Sequence, residues 1–340
     1  MNSYYSFCPE LQTQDSSGEG KLKNKSWFAG NYFDNIMLFE ISLGISIIVL
    51  AIFKMRRFLL LYFFLLITSY GYAQNDLRIF RITSLFTSFP DTAREKGHMY
   101  QNVLYKASDH YRDSSVLIIT PKHLYAKRKV DMIFWFHGWN NNIDSAVVRY
   151  ELAKQFAASK LNAVLVLAET AKDAPDSYGG KLEHEGVFNN LIHDLLNKLK
   201  KEEVISKNCK PGNIMLAGHS GAYKVMANIL QNGNVPVREV ILFDALYAET
   251  DKFINWIRSG NKNRFINLYT DNGGTDEESK SMLTQLMKLN IKADKTEEKN
   301  ITPQLLRKEK IIFIHSLNKH NDIINSPDNF QLFIENSTIF

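Results

Sequence analysis

The chain has 340 residues, 45% hydrophobic and 23% charged, so it can bury a substantial core and suits one large domain or two small ones. Its net charge of +5 comes from scattered lysines and short runs such as Lys127-Arg128-Lys129, without interleaved aromatic residues, which argues against a nucleic-acid platform. Two cysteines, Cys8 and Cys209, are too few for a disulfide framework, and no Cys/His spacing suits a zinc site, so neither a metal nor another cofactor is expected.

Residues 1–35 are polar and aperiodic, and 36–53 form an apolar run, interrupted by Glu40, of marginal length for a membrane span. Met55-Arg56-Arg57, the apolar stretch 58–67 and the small-x-small exit Gly71-Tyr72-Ala73 then have the order of a secretory signal peptide. The expectation is that Met55 is the true start, 1–54 an upstream extension and 55–73 a leader removed on export to the periplasm or medium. The alternative keeps residues 36–70 as a membrane anchor, with membrane association of the domain that follows.

From Gln74 onward the pattern is that of one domain. Residues 78–86 and 115–120 read as paired strands at a sheet edge, the second closed by Pro121. Residues 131–136 are continuously apolar, as a strand buried on both faces should be, and a helix follows with Ala146, Val147, Tyr150, Ala153, Phe156 and Ala157 on its inner side. Residues 162–168 give the next strand, and the polar loop 169–180 leads to an amphipathic helix with Val187, Phe188, Leu191, Ile192, Leu195 and Leu199 on one stripe. Strands at 237–243, 264–269 and 311–314 alternate with helices at 251–258, 277–289 and 328–334. This alternation predicts a mostly parallel central sheet flanked by helices on both faces.

The strand ending at Ala217 runs into Gly218-His219-Ser220-Gly221-Ala222, and a helix with Val225, Met226, Ile229 and Leu230 on one face follows, stopped by Asn232-Gly233. Strand, tight turn and helix with a serine at the apex is the context of a nucleophile elbow. The turn needs small residues so that strand and helix can approach; Gly218, Gly221 and Ala222 supply them, with alanine where glycine is usual. In an open parallel sheet ligands bind beyond the strands' carboxyl ends, which singles out His137-Gly138-Trp139, Ser220, Asp244, Asp271 and His320.

On these residues the chain resembles the α/β-hydrolase superfamily from about residue 115 to the end, in the order nucleophile, acid, histidine. The resemblance implies Ser220 as nucleophile and His320 as base, with His315 as its rival and His219 structural. It implies Asp271 or Asp244 as the acid, with Asp276 a weaker third candidate, and the N–H groups of Gly221 and of Gly138 or Trp139 as the oxyanion hole. His137, Asn140 and Tyr178 are expected to line the substrate site, and Pro175, Asp176, Ser177 and Tyr178 of the loop 169–180 to wall it opposite Trp139. The implied activity is hydrolysis of an ester or similar acyl bond of a small-molecule substrate through an acyl-serine. A peptidase or amidase with the same triad, and a non-catalytic envelope binding protein on this scaffold, are the alternatives.

Overall fold

The computed structural model describes residues 76–340, together with residues 52 and 54–57; the upstream extension, leader and anchor expected from the sequence otherwise lie outside the described residues. Among the described residues no helix is long and apolar enough to cross a membrane. The elements that follow all lie in the unit Thr68–Phe340.

In chain order, β1 (Leu77–Thr83) precedes a small hairpin of β2 (His98–Tyr100) and β3 (Val103–Tyr105), the one-turn helix α1 (Ala107–His110) and β4 (Ser115–Pro121). Then come β5 (Lys129–Phe136), α2 (Ile143–Arg149), α3 (Leu152–Ser159), β6 (Ala163–Ala168), α4 (Val187–Lys201), β7 (Lys210–His219) and α5 (Tyr223–Asn232). The last third holds β8 (Val237–Phe243), α6 (Thr250–Ser259), β9 (Arg264–Thr270), α7 (Asp276–Lys288), β10 (Asp294–Glu297), α8 (Pro303–Lys308), β11 (Ile311–Ser316) and α9 (Asn329–Glu335).

Nine strands form one sheet in the order β1-β4-β6-β5-β7-β8-β9-β11-β10. β4 is antiparallel to both β1 and β6, and every other pair is parallel. Both faces are covered, which is why the central strands read as unbroken apolar runs. Along β5, Met132, Phe134 and Phe136 enter one core with Phe188, Leu191 and Leu195 of α4 and Val225 and Met226 of α5. Ile133 and Trp135 enter the other, with Ile143 and Ala146 of α2, Phe156 of α3 and Phe330 and Phe333 of α9. Strand order, one antiparallel strand near the edge and helices on both faces make this an α/β-hydrolase fold, with the elbow at the end of the central strand β7.

Three details depart from the sequence reading. The helix expected through 146–157 is two helices, because Glu151 adopts a left-handed φ of 49° between them and the buried Gln155 amide bonds the Tyr150 carbonyl across the break. The turn between β2 and β3 places Gln101 and Asn102 at φ 45° and 65° without glycine, so the usual hairpin signal is absent. β10 is a four-residue polar edge strand, Asp-Lys-Thr-Glu, which has no apolar periodicity to reveal it.

Candidate active site

Ser220 sits at the apex of the turn between β7 and α5 with φ of 55°, a left-handed conformation that a serine adopts only under constraint. The constraint is packing. A Cβ added to Gly218 would lie 2.6 Å from the Met226 sulfur and 2.7 Å from the Ala222 Cβ. The Ala222 methyl therefore fills the space that Gly218 leaves, which accounts for alanine at a position where glycine is usual. Across the turn, a Cβ on Gly138 would lie 2.6 Å from the Ser220 Cβ and 3.1 Å from the Gly221 nitrogen, so the loop after β5 closes directly onto the elbow.

His320 lies in the loop between β11 and α9, and its Nδ1 is 2.7 Å from Asp244 Oδ2. Asp244 directly follows β8 and is buried. Oδ2 also accepts from the Thr270 hydroxyl (2.7 Å), while Oδ1 accepts from the Thr270 N–H (3.1 Å) and the Thr275 hydroxyl. Burial alone would raise the Asp244 pKa, but the hydrogen bonds from His320, Thr275 and Thr270 outweigh it and hold the carboxyl below its ordinary value. Gly273 completes the cradle, since a Cβ there would be 1.6 Å from Oδ2. The ionised carboxylate accepts at His320 Nδ1, which fixes that proton and leaves Nε2 as the lone-pair nitrogen.

The loop bearing His320 is held from two sides. Glu298 accepts from Ser316, from Asn318 (3.0 Å) and from Asn329 at the start of α9. On the inner side His219 Nε2 is 2.9 Å from the His320 carbonyl oxygen, and the Tyr150 hydroxyl is 3.1 Å from His219 Nδ1. The carbonyl can only accept, so His219 carries its proton on Nε2 and accepts a hydrogen bond from the Tyr150 hydroxyl at Nδ1. Burial, with His320 alongside at 4.4 Å between ring centres, pushes the His219 pKa down to about 3. His219 is thus a neutral link from the residue before Ser220 to the backbone of His320.

His137 is buried, contrary to its expected place at the substrate, because its partners lie inside the fold. Nδ1 is 2.8 Å from the Gly138 carbonyl and Nε2 is 2.6 Å from Glu169, which also accepts from the Ile143 N–H. The Gly138 carbonyl can only accept, so Nδ1 carries a proton, and Nε2 meets the Thr170 hydroxyl (2.9 Å) as well as Glu169, whose carboxylate favours a charged ring. Burial opposes that charge, but the hydrogen bond and charge of Glu169 prevail and raise the His137 pKa. By turning the Gly138 carbonyl toward itself, His137 leaves the Trp139 N–H on the opposite side of that planar peptide. Among the described residues neither the Trp139 nor the Gly221 N–H donates to another protein group.

The remaining expected residues sort clearly. Asp271, one of the two acids read from the sequence, does not meet His320: its Oδ1 is 2.8 Å from His315 Nε2, and His315 Nδ1 is 2.8 Å from Glu297. His315 is therefore paired with two carboxylates. Asp276 opens α7 and pairs with Lys280. Asn140 is exposed at φ 50° with its N–H on the Ala174 carbonyl, and Asn142 caps α2 through the Ser145 N–H. The Tyr178 hydroxyl donates to Asp91 (3.1 Å), and Arg94 and Lys224 lie 4.7 and 5.7 Å from its ring centre. Ser177 is the loop residue that reaches the elbow: it accepts from Trp139 Nε1 at 2.7 Å and lies 2.9 Å from where a Gly221 Cβ would be.

Tyr247 donates to the Gly273 carbonyl at 2.5 Å, and sequence reasoning missed Tyr223, which interacts with Ser177. No local signal marks which aspartate meets His320, because the partners of Asp244 come from the neighbouring strand and the loop after it.

No family model and no curated protein sequence matches the chain. Among solved structures, it is similar to a fluorophosphonate-binding serine hydrolase of Staphylococcus aureus, at 9% identity, 77% of this chain and 98% of that one, with a TM-score of 0.46. It is also similar to an S-formylglutathione hydrolase of Agrobacterium tumefaciens, at 10% identity, 78% and 95% coverage and 0.45. A third is the feruloyl esterase module of Clostridium thermocellum, at 10% identity, 77% and 88% coverage and 0.46.

Proposed function

We propose that this chain is a serine hydrolase that cleaves an ester or similar acyl bond through an acyl-Ser220 intermediate. The observation that carries the reading is the 2.7 Å bond between His320 and the four-times hydrogen-bonded Asp244, on the strand beside a serine held at φ 55°. In the proposed cycle Ser220 Oγ attacks the acyl carbon as its proton passes to His320 Nε2, and Asp244 stabilises the imidazolium that forms. The Gly221 and Trp139 N–H groups take the oxyanion. Removal of one such donor typically costs about a hundred- to a thousand-fold in turnover. His320 then returns the proton to the leaving group, and water repeats the sequence to free the acid.

The non-catalytic reading drew on Ala222 and on two competing acids. Ala222 packs against Gly218, and the two aspartates serve different histidines, so neither feature weakens the catalytic one. Covalent labelling by a fluorophosphonate is the test, since it requires an activated serine and no knowledge of the substrate. Wild-type protein should label, and the Ser220→Ala variant should not.

A further inference from the structure

Four aromatic rings border the elbow. Trp139 lies against Gly221, whose added Cβ would fall 2.5 Å from the indole Cδ1, yet 42% of Trp139 is exposed. Tyr100, on the β2–β3 hairpin, meets it edge to face with ring centres 5.3 Å apart. On the other flank Tyr247, which donates to the Gly273 carbonyl beside Asp244, packs against Tyr223 of α5 with ring centres 5.8 Å apart. Ser177 joins the two flanks through Trp139 and Tyr223.

Each polar tip has a partner within the protein, those of Trp139 and Tyr100 at the exposed surface. Trp139 Nε1 donates to Ser177, the Tyr247 hydroxyl donates to the Gly273 carbonyl, Tyr223 interacts with Ser177, and the Tyr100 hydroxyl accepts from Gln101 at 3.4 Å. What they leave for a ligand is ring face and ring edge. Burial also raises the pKa of Tyr223, and that of Tyr247 to about 12, so both stay neutral at ordinary pH. A hydroxyl-rich ligand would find few free partners here. A straight alkyl chain would gain area but none of the face-and-edge complementarity that aromatic pairs add.

Building on the serine-hydrolase reading, we propose that the group bound beside Ser220 is a flat aromatic ring carried on the ester, held between the Trp139–Tyr100 and Tyr223–Tyr247 pairs. Tyr178 is not part of this rim, because Arg94 and Lys224 lie against its ring.

Two fluorophosphonates test this, one with a phenylpropyl and one with a hexyl chain on phosphorus. The chains have similar reach, and neither ring nor chain conjugates with phosphorus, so the ratio of their labelling rates reads the binding contribution alone. Each ring contact is worth roughly two- to tenfold, so the phenylpropyl probe should label Ser220 about fivefold faster or more. Tyr100→Leu and Tyr223→Leu, on two different elements, should each reduce that ratio by at least half. A wild-type ratio under about fivefold, or one that neither substitution changes, overturns the proposal. Absence of labelling by both probes would instead strike at the hydrolase reading, and this inference would go with it.

Discussion

Replacing Asp244 by asparagine changes one atom of a fully used carboxylate. All four of its partners act as donors: His320 Nδ1 and the Thr270 hydroxyl on Oδ2, the Thr270 N–H and the Thr275 hydroxyl on Oδ1. The backbone N–H cannot turn, so the amide oxygen keeps the Oδ1 side and the amide NH2 takes the Oδ2 side. There it meets His320 Nδ1, which must now accept. The imidazole proton moves to Nε2, and the base loses the lone pair that would receive the Ser220 proton. The same tautomer change in a serine protease triad lowers turnover about ten-thousand-fold, ~5.4 kcal/mol of barrier. Steady-state turnover of a simple carboxylic ester, with a melting curve for each variant, measures it. Asp271→Asn is the control and should stay within about threefold of wild type, because Asp271 contacts His315 and not His320. Turnover within tenfold of wild type for Asp244→Asn, or an equal loss for Asp271→Asn, would refute the assignment.

Two further predictions follow from the histidines. His219→Leu removes the donor to the His320 carbonyl, and loss of a buried hydrogen bond worth ~1–3 kcal/mol should lower kcat roughly five- to a hundredfold with KM little changed. His219→Gln, which keeps an N–H near the Nε2 position, should recover most of that rate, and equal kcat in the two variants would contradict the positioning role. For His315, burial works against the charged ring, but the hydrogen bonds to Glu297 and Asp271 prevail and raise its pKa above the ordinary value. Its contribution to stability is therefore complete below the unfolded pKa of about 6.5 and is lost as pH rises through the higher folded value. The melting temperature of wild type should carry this fall, and the same slope in His315→Gln would show the pair to be inert.

Much of the fold was legible because the central strands are buried on both faces. Residues 132–136, 163–168 and 240–243 are apolar runs too short for helices, and the sheet holds them as strands. The elements that escaped had no such pattern: β10 is a polar edge strand, and the hairpin bearing Tyr100 turns without glycine. Ser220, Gly221, Gly138 and His320 stand out in the sequence because each lies just beyond a strand, and the structure brings Gly138 against Ser220 and His320 against Asp244. Which of Asp244 and Asp271 meets His320 could not be read from local chemistry, since each directly follows one of two adjacent strands. It is decided by a three-dimensional cradle, Thr270, Gly273 and Thr275 around one carboxylate, and by a second histidine that takes up the other. The burial of His137 escaped for a similar reason. Its partner Glu169 lies 32 residues away and draws the ring inward beneath the oxyanion loop.

The central claim is that Ser220 is an activated nucleophile, and site-mapped fluorophosphonate labelling of the native protein tests it most directly. Peptide mass spectrometry should place the label on Ser220. The Ser220→Ala variant, folded by its melting curve, should carry none, and His320→Ala should label at least about a hundredfold more slowly, within the usual contribution of a general base. A label on any other residue, or undiminished labelling of the folded Ser220→Ala protein, would contradict the account.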